Sequence, residues 1–282
     1  MSRAENSVLW TDADAAAATA GEAAGGWRAT GVSIDTRTLA PGDLFVAISG
    51  PNFDGHDFAA EALTKGAAAV LVAAANPATA KLDPAAPRLV AADTLAALED
   101  LGRAARARTG ARIAAVTGSV GKTGTKEALG LALGAQGRIA ATAGNLNNHW
   151  GLPLSLARMP AATDFGIFEL GMSAPGEIAP LTAMTRPHVA VITAIAHVHS
   201  EFFPSLDGIA DAKAEIFLGL EPGGTAILNR DSDYFDHLAG KAREAGAANI
   251  VGFGAATAAD YRLLDCTLGD DGSEVLADLA GR

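Results

Sequence analysis

Short apolar runs and longer amphipathic stretches alternate along most of the chain. The run "GDLFVAI" at 42–48 predicts a strand, "HDFAAEALTKG" at 56–66 a helix stopped by Gly66, and "AAAVLVA" at 67–73 a second strand. The segment "NPATAKLDPAAP" at 76–87 gathers three prolines, loses periodicity and reads as a linker. Beyond it, "RLVAA" (88–92) and "TLAALEDLGRAARART" (94–109) predict strand then helix. "ARIAAVTG" (111–118) is an apolar strand entering a glycine loop, with "TKEALGLALGA" (125–135) as the helix that follows. Further apolar runs lie at 138–142, 164–170, 188–196, 224–229 and 249–253, with helical stretches at 176–184, 206–220 and 233–246. No internal repeat is present. Buried strands alternating with helices imply an α/β protein: a small N-terminal α/β domain over 1–86, then a doubly wound, mostly parallel sheet over 87–282. In such sheets ligands gather beyond the carboxyl ends of the strands.

Composition narrows the function classes. The chain is 49% hydrophobic and only 5% aromatic, and no apolar run approaches the ~18 residues a membrane span needs. The first residues lack the basic-then-apolar order of a signal peptide, so a cytoplasmic protein is expected. One cysteine, Cys266, excludes an internal disulfide framework and a thiolate-rich zinc site. The net charge of −11 argues against a nucleic-acid surface, although a lysine, backbone amides and a metal ion suffice to hold a phosphate locally.

The sharpest motif is "AVTGSVGKTGTKEALG" (115–130). The usual phosphate loop has a glycine where this chain has Val116, and its first glycine is Gly118. The structural conditions are nonetheless met, since an apolar strand leads through Gly118, Ser119, Val120 and Gly121 to Lys122 and Thr123 at a helix start. Lys122 is expected to reach the outer phosphates and the Thr123 hydroxyl to ligate Mg²⁺. Glu169 ends another apolar strand and, opposite a phosphate site, is a natural Mg²⁺ ligand. His197, His199 and Glu201 end a further strand, and two histidines at i and i+2 on extended chain face one side, suited to a metal. Asn145, Asn147 and Asn148 fill a glycine-bounded loop, a weak signal because asparagine favours turns for local reasons. Lys213, on a helix, reads from its sequence context as a surface lysine.

In their order these motifs resemble the Mur ligases, the ATP-dependent amide ligases of peptidoglycan synthesis, and most closely the MurF type. The matching stretches are "SIDTRTLAPGDLFVAISGPNFDGHDFAAEAL", "VTGSVGKT", "TAGNLNNHWGLPLSL", "FELGMSAPGEI" and "AHVHSEFFPSLDGIADAKAEIF". A shortened Gly-x-x-Gly-Lys-Thr loop belongs to this family's own pattern. The resemblance implies that the N-terminal domain binds the UDP end of UDP-N-acetylmuramoyl-tripeptide. Ser33, Asp35, Thr36 and Arg37, with Asp54, Gly55 and His56, occupy the matching positions. It implies Lys122 on ATP, Thr123 and Glu169 on one Mg²⁺, His199 on a second, and Lys213 as a carbamylated lysine supporting that second metal. The asparagine loop is expected to face the substrates. ATP would phosphorylate the tripeptide carboxylate, and the amine of D-alanyl-D-alanine would attack the acyl phosphate; Lys122, His199 and Lys213 are the expected catalytic group.

The family pattern also includes a C-terminal ligase domain for which these residues hold no counterpart. The chain is therefore expected to correspond to the first two domains, the second incomplete, and not to ligate by itself; the full-length enzyme is expected to be a monomer. Two other readings stay open at the level of sequence. One is a sister ligase adding a single amino acid, and the other a non-catalytic nucleotide- or UDP-sugar-binding module.

Overall fold

The computed structural model describes residues 7–197, 203, 205–270 and 272–280. The chain divides into two compact units, one formed by the residues up to Gly110 with Trp150–Thr163, the other by Ala111–His149 with the residues from Asp164 onward.

In the first unit, β1 (Trp10–Thr11) leads into α1 (Asp12–Thr19), whose N-cap hydroxyl on Thr11 accepts the Asp14 N–H. Asp12 and Asp14 in its first turn suit the positive end of the helix. There follow β2 (Glu22–Ala24), β3 (Arg28–Ala29, antiparallel to β1), β4 (Gly31–Ser33) and β5 (Asp43–Val46). Then come α2 (Ala59–Thr64), β6 (Ala69–Ala73), β7 (Arg88–Ala91) and α3 (Thr94–Ala107). The five-stranded sheet has the order β2-β7-β6-β5-β4, parallel except for β2 at its edge. Gly66 ends the α2 segment as expected, at φ +93°, a conformation that favours glycine. On α3 the stripe Ala97, Leu98, Leu101 and Ala105 is buried at helical spacing, and each leucine contributes roughly 1.5–3 kcal/mol by leaving water.

This arrangement corrects the boundary expected at 86/87. The proline-bearing segment is the connection between β6 and β7 within one sheet, with Val70 opposite Arg88 and Ala73 opposite Ala91. β7 and α3 belong to the first unit. Proline breaks periodicity in any long connection, so composition alone does not separate a crossover inside a sheet from a domain linker.

The second unit opens with β8 (Arg112–Thr117), α4 (Lys122–Gly134) and β9 (Ile139–Ala141). After α5 (Gly151–Ala157), which belongs to the first unit, it continues with β10 (Phe165–Glu169), α6 (Ile178–Thr185), β11 (Val189–Ile192) and α7 (Leu206–Ala214). The rest is β12 (Thr225–Asn229), α8 (Phe235–Glu244), β13 (Asn249–Gly254) and the hairpin β14 (Tyr261–Leu268) with β15 (Ser273–Leu279). The helix expected over 206–220 stops at Ala214 and tightens into a 3₁₀ turn, Glu215–Gly219. The eight-stranded sheet runs β15-β14-β13-β12-β11-β8-β10-β9, parallel apart from the terminal hairpin. From β8 the chain moves to the edge strand β9 and back to β10 on one side, then crosses to β11 on the other. The carboxyl end of β8 is therefore a topological switch point, where a crevice opens between diverging connections.

Candidate functional site

The loop from β8 to α4 lies at that switch point, and close packing at Gly118 and backbone conformation at Gly121 explain its glycines. Gly118 adopts φ +151°, and a Cβ there would run into the Thr193 hydroxyl and lie 3.2 Å from the Ala194 nitrogen. Gly121 adopts φ +85° as the N-cap of α4. The loop is pinned to the chain leaving β11: Thr193 Oγ1 donates to the Val120 carbonyl (2.6 Å), and the Ser119 N–H donates to the Ala194 carbonyl (2.8 Å). Val120 itself is exposed. Lys122 Nζ donates to the Gly118 carbonyl at 2.8 Å, which folds the ammonium over the loop it is expected to serve.

Glu169, at the end of β10 beside β8, is 2% exposed. One carboxylate oxygen accepts the Thr123 hydroxyl at 3.0 Å, the other the Asn147 side-chain amide at 2.7 Å, and its backbone N–H donates to Thr142 Oγ1 at 3.1 Å. Gly171 has no Cβ because Asn147 occupies that space, 2.7 Å from where it would stand, and the Gly171 N–H donates to the Asn147 carbonyl at 2.8 Å. Thr123 and Glu169 thus place two hard oxygen donors side by side at a phosphate loop, which suits Mg²⁺ completed by phosphate oxygens and water. Among the described residues no group of three or more His, Cys, Asp or Glu gathers to hold a metal by itself.

Lys213, on α7, is 3% exposed, so the reading of a surface lysine fails. Burial, and then the charge of Lys122, pushes its ammonium down to about 8. One cavity of about 570 Å³ is lined by Gly118, Ser119, Lys122, Asn145, Asn147, Asn148 and Lys213. Three residues that sequence reasoning did not single out, His149, Ser173 and Glu177, line it too. Glu177 holds its own loop by accepting the N–H groups of Ser173 (2.6 Å) and Ala174 (3.3 Å). Glu215 accepts those of Gly176 (2.7 Å), Ile178 (3.1 Å) and Ala179 (3.0 Å), which caps α6. His199 and Glu201 lie outside the described residues, and His197 is exposed.

In the first unit, Asp35, Thr36, Arg37 and Gly55 line a second cavity, of about 460 Å³. Its remaining wall is apolar and aromatic, including Phe53, Phe58 and Trp150. With only 5% aromatic residues in the chain, a phenylalanine in the turn-rich stretch "PNFDGH" was the available signal; in the structure Phe53 is 75% exposed. Arg37 forms a bidentate pair with Asp35 (2.9 and 2.6 Å) and otherwise faces solvent; that partner holds the Asp35 carboxyl below its ordinary value. A Cβ on Gly55 would stand 2.7 Å from the Ile48 nitrogen.

The other residues expected beside it have a supporting place. Ser33 is buried and its hydroxyl donates to the Asp35 carbonyl at 3.0 Å. His56 is buried with both ring nitrogens engaged: Nε2 accepts the Ala73 N–H at 2.9 Å, so Nδ1 carries the proton given to Asp54 Oδ1 at 2.6 Å. Desolvation works to raise the Asp54 carboxyl, but hydrogen bonds from His56, Asn76 and Ser49 outweigh it and hold the group well below the usual carboxylate range. His56 and Asp54 therefore shape the turn that presents Gly55.

The profile described as "Mur ligase middle domain" matches residues 116–280, and that of "Mur ligase family, catalytic domain" matches residues 28–106. The chain is 44% identical over 202 residues to the UDP-N-acetylmuramoyl-tripeptide--D-alanyl-D-alanine ligase of Escherichia coli (strain K12), covering 72% of this chain and 43% of that protein. Among solved structures it is similar to MurF from Acinetobacter baumannii, with TM-score 0.78 and 30% identity over 95% of this chain and 60% of that one. It is also similar to the MurF ligase of Thermotoga maritima in complex with ADP, with TM-score 0.73 and 29% identity over 89% and 56% of the two chains. The chain spans about half the length of the curated relatives it matches.

Proposed function

The chain belongs to the Mur ligase family, and from that premise we propose that it serves the ATP-dependent joining of D-alanyl-D-alanine to UDP-N-acetylmuramoyl-tripeptide in peptidoglycan precursor synthesis. One observation carries the reading: the phosphate loop, Asn147 and the buried Lys213 line one cavity at the switch point of the parallel sheet, and Asn147 ties the Thr123–Glu169 pair to it. The ADP in the Thermotoga maritima MurF structure supports a nucleotide as its occupant.

In this reading, the loop amides and Lys122 hold the triphosphate, with Thr123 and Glu169 as protein ligands to Mg²⁺. The metal, when bound, neutralises phosphate charge so that a carboxylate can approach. The tripeptide carboxylate takes the terminal phosphoryl group, ADP leaves, and the amine of the dipeptide attacks the acyl carbon and expels phosphate. Two anions must meet for this to happen, which is why a cation, Lys122, stands at the cavity. Burial favours the neutral form of Lys213. A neutral amine is the form that reacts with CO₂, and the resulting carbamate is the anion that would support a second Mg²⁺, with His199 as its partner ligand. The first-unit cavity suits a UDP group, with Trp150, Phe53 and Phe58 offering faces to the uracil and backbone and Arg37 lying near the charged end. A cytoplasmic monomer acting on small molecules, without nucleic acid, completes the proposal. Among the described residues no helix is long and apolar enough to cross a membrane.

The test is a product assay on the protein that carries these residues, supplied with ATP and UDP-N-acetylmuramoyl-tripeptide. D-alanyl-D-alanine should drive ADP release and a pentapeptide product detected by mass. Release driven instead by diaminopimelate or lysine would assign a sister ligase, and binding of both nucleotides without amine-driven turnover would leave a binding module.

A further inference from the structure

Helix α4 carries a second lysine whose position the ligase reading leaves unexplained. Lys126 lies three residues beyond Thr123 and is 2% exposed, unlike its neighbour Glu127, whose side chain is largely in solvent. Its Nζ donates to the Thr142 carbonyl at 2.9 Å, lies 3.5 Å from the Gly144 carbonyl, and pairs with Glu127 at 3.1 Å. A buried ammonium is costly to desolvate and is kept only where specific acceptors surround it. Here two of the three acceptors are backbone carbonyls two residues apart in one loop, the one that runs from β9 to the asparagines.

Those contacts form part of a closed circuit. Thr123 on α4 donates to Glu169 on β10. Glu169 accepts from Asn147 and sends its own N–H to Thr142 Oγ1. The carbonyl of that same Thr142 returns to α4 through Lys126. The helix that begins at the phosphate loop therefore grips Glu169 directly through Thr123 and indirectly through the loop bearing Thr142 and Asn147. Gly144, at φ +53°, and Asn147, whose N–H donates to the Asn145 carbonyl at 2.8 Å, show how tightly that loop turns between its two anchors.

We propose that Lys126 is a positioning residue: it fixes the 142–147 loop against α4 so that Asn147 holds the Glu169 carboxylate, and Thr142 the Glu169 backbone, where a divalent cation on the nucleotide phosphates can be bound. The proposal rests on the nucleotide reading of this cavity. Lys126 touches neither nucleotide nor metal in this role; it acts through Thr142, Gly144 and Asn147.

The experiment compares the unsubstituted chain with Lys126→Met and Lys126→Arg by calorimetric titration with ADP, with and without Mg²⁺, together with hydrogen exchange on the ligand-free proteins. Lys126→Met should bind metal-free ADP like the parent, while the gain in affinity that Mg²⁺ confers falls about ten-fold, the scale seen when support of a metal ligand is removed. Exchange should quicken at 143–147 without quickening in β8 or β10. Lys126→Arg should recover part of the Mg²⁺ effect. An unchanged Mg²⁺ effect in Lys126→Met, or equal losses with and without the metal, would overturn the assignment. Should Lys126→Met not fold, the exchange pattern and Mg²⁺ effect of Lys126→Arg decide the matter by the same criteria, an altered loop with weakened Mg²⁺ coupling supporting it and parent-like behaviour overturning it. Absence of ADP binding by the unsubstituted chain would remove the nucleotide reading itself, and this role with it.

Discussion

Replacing Lys213 with methionine should make the second unit more stable at neutral pH, even as it removes the residue assigned to the second metal. The lysine lies 3% exposed, and burial with the neighbouring charge of Lys122 lowers it from the ordinary 10.5 to about 8. A difference of that size corresponds to about 3 kcal/mol between the charged and neutral forms. Below pH 8 both the folded and unfolded chains carry the proton, so the folded state bears the whole cost of the buried charge. Between 8 and 10.5 the unfolded chain binds more protons than the folded one, so stability rises with pH and the cost fades. Above 10.5 the amine is neutral in both states and the penalty is gone. Methionine has a similar length and no charge, so Lys213→Met should gain about 2–3 kcal/mol at pH 7, shrinking steadily toward pH 10.5. The measurement must report on the correct unit. All three tryptophans, Trp10, Trp27 and Trp150, belong to the first unit, so their fluorescence is blind to this change. Denaturant-dependent hydrogen exchange at β8 and β11, in CO₂-free buffer, reads the second unit directly. A variant no more stable than the parent at pH 7, or a gain that does not shrink on raising the pH, would refute the reasoning.

Other substitutions probe the remaining parts. Gly118→Ala forces a Cβ against Thr193 at a positive φ; it should destabilise the second unit by about 1–3 kcal/mol and abolish detectable ADP binding, both measurable by exchange and calorimetry. Glu169→Gln keeps shape but removes charge, so ADP binding should persist without metal while its Mg²⁺ enhancement disappears. His56→Ala strands the Ala73 N–H and opens a cavity; tryptophan-monitored urea unfolding should show a loss of about 2–4 kcal/mol in the first unit. Phe53→Ala, at a residue 75% exposed, should leave that unfolding curve unchanged and weaken UDP binding about ten-fold in calorimetry.

What the sequence determined by itself was the family and the frame of the candidate site. An apolar strand, a glycine loop and Lys-Thr at a helix start follow from local rules, and so does the place of Glu169 at the end of an apolar strand. The alternation of strands and helices likewise announced the doubly wound sheet. Tertiary structure decided what depends on contacts distant in sequence. Lys213 lies on a helix whose local pattern admits solvent, and only packing buries it and couples it to Lys122. Lys126 sits beside an exposed glutamate in an unremarkable helical stretch, and its acceptors belong to a loop 16 and 18 residues away. Phe53 and Trp150 meet at one cavity from opposite sides of the phosphate loop in sequence. His56 changed from expected substrate contact to buried support because its Nε2 is taken by a strand 17 residues on. The proline-rich segment misled for the converse reason, since composition records where regular structure stops and not which sheet the next strand joins. Burial and pairing are properties of the folded chain, and the pKa of a lysine or the role of a histidine is set only once they exist.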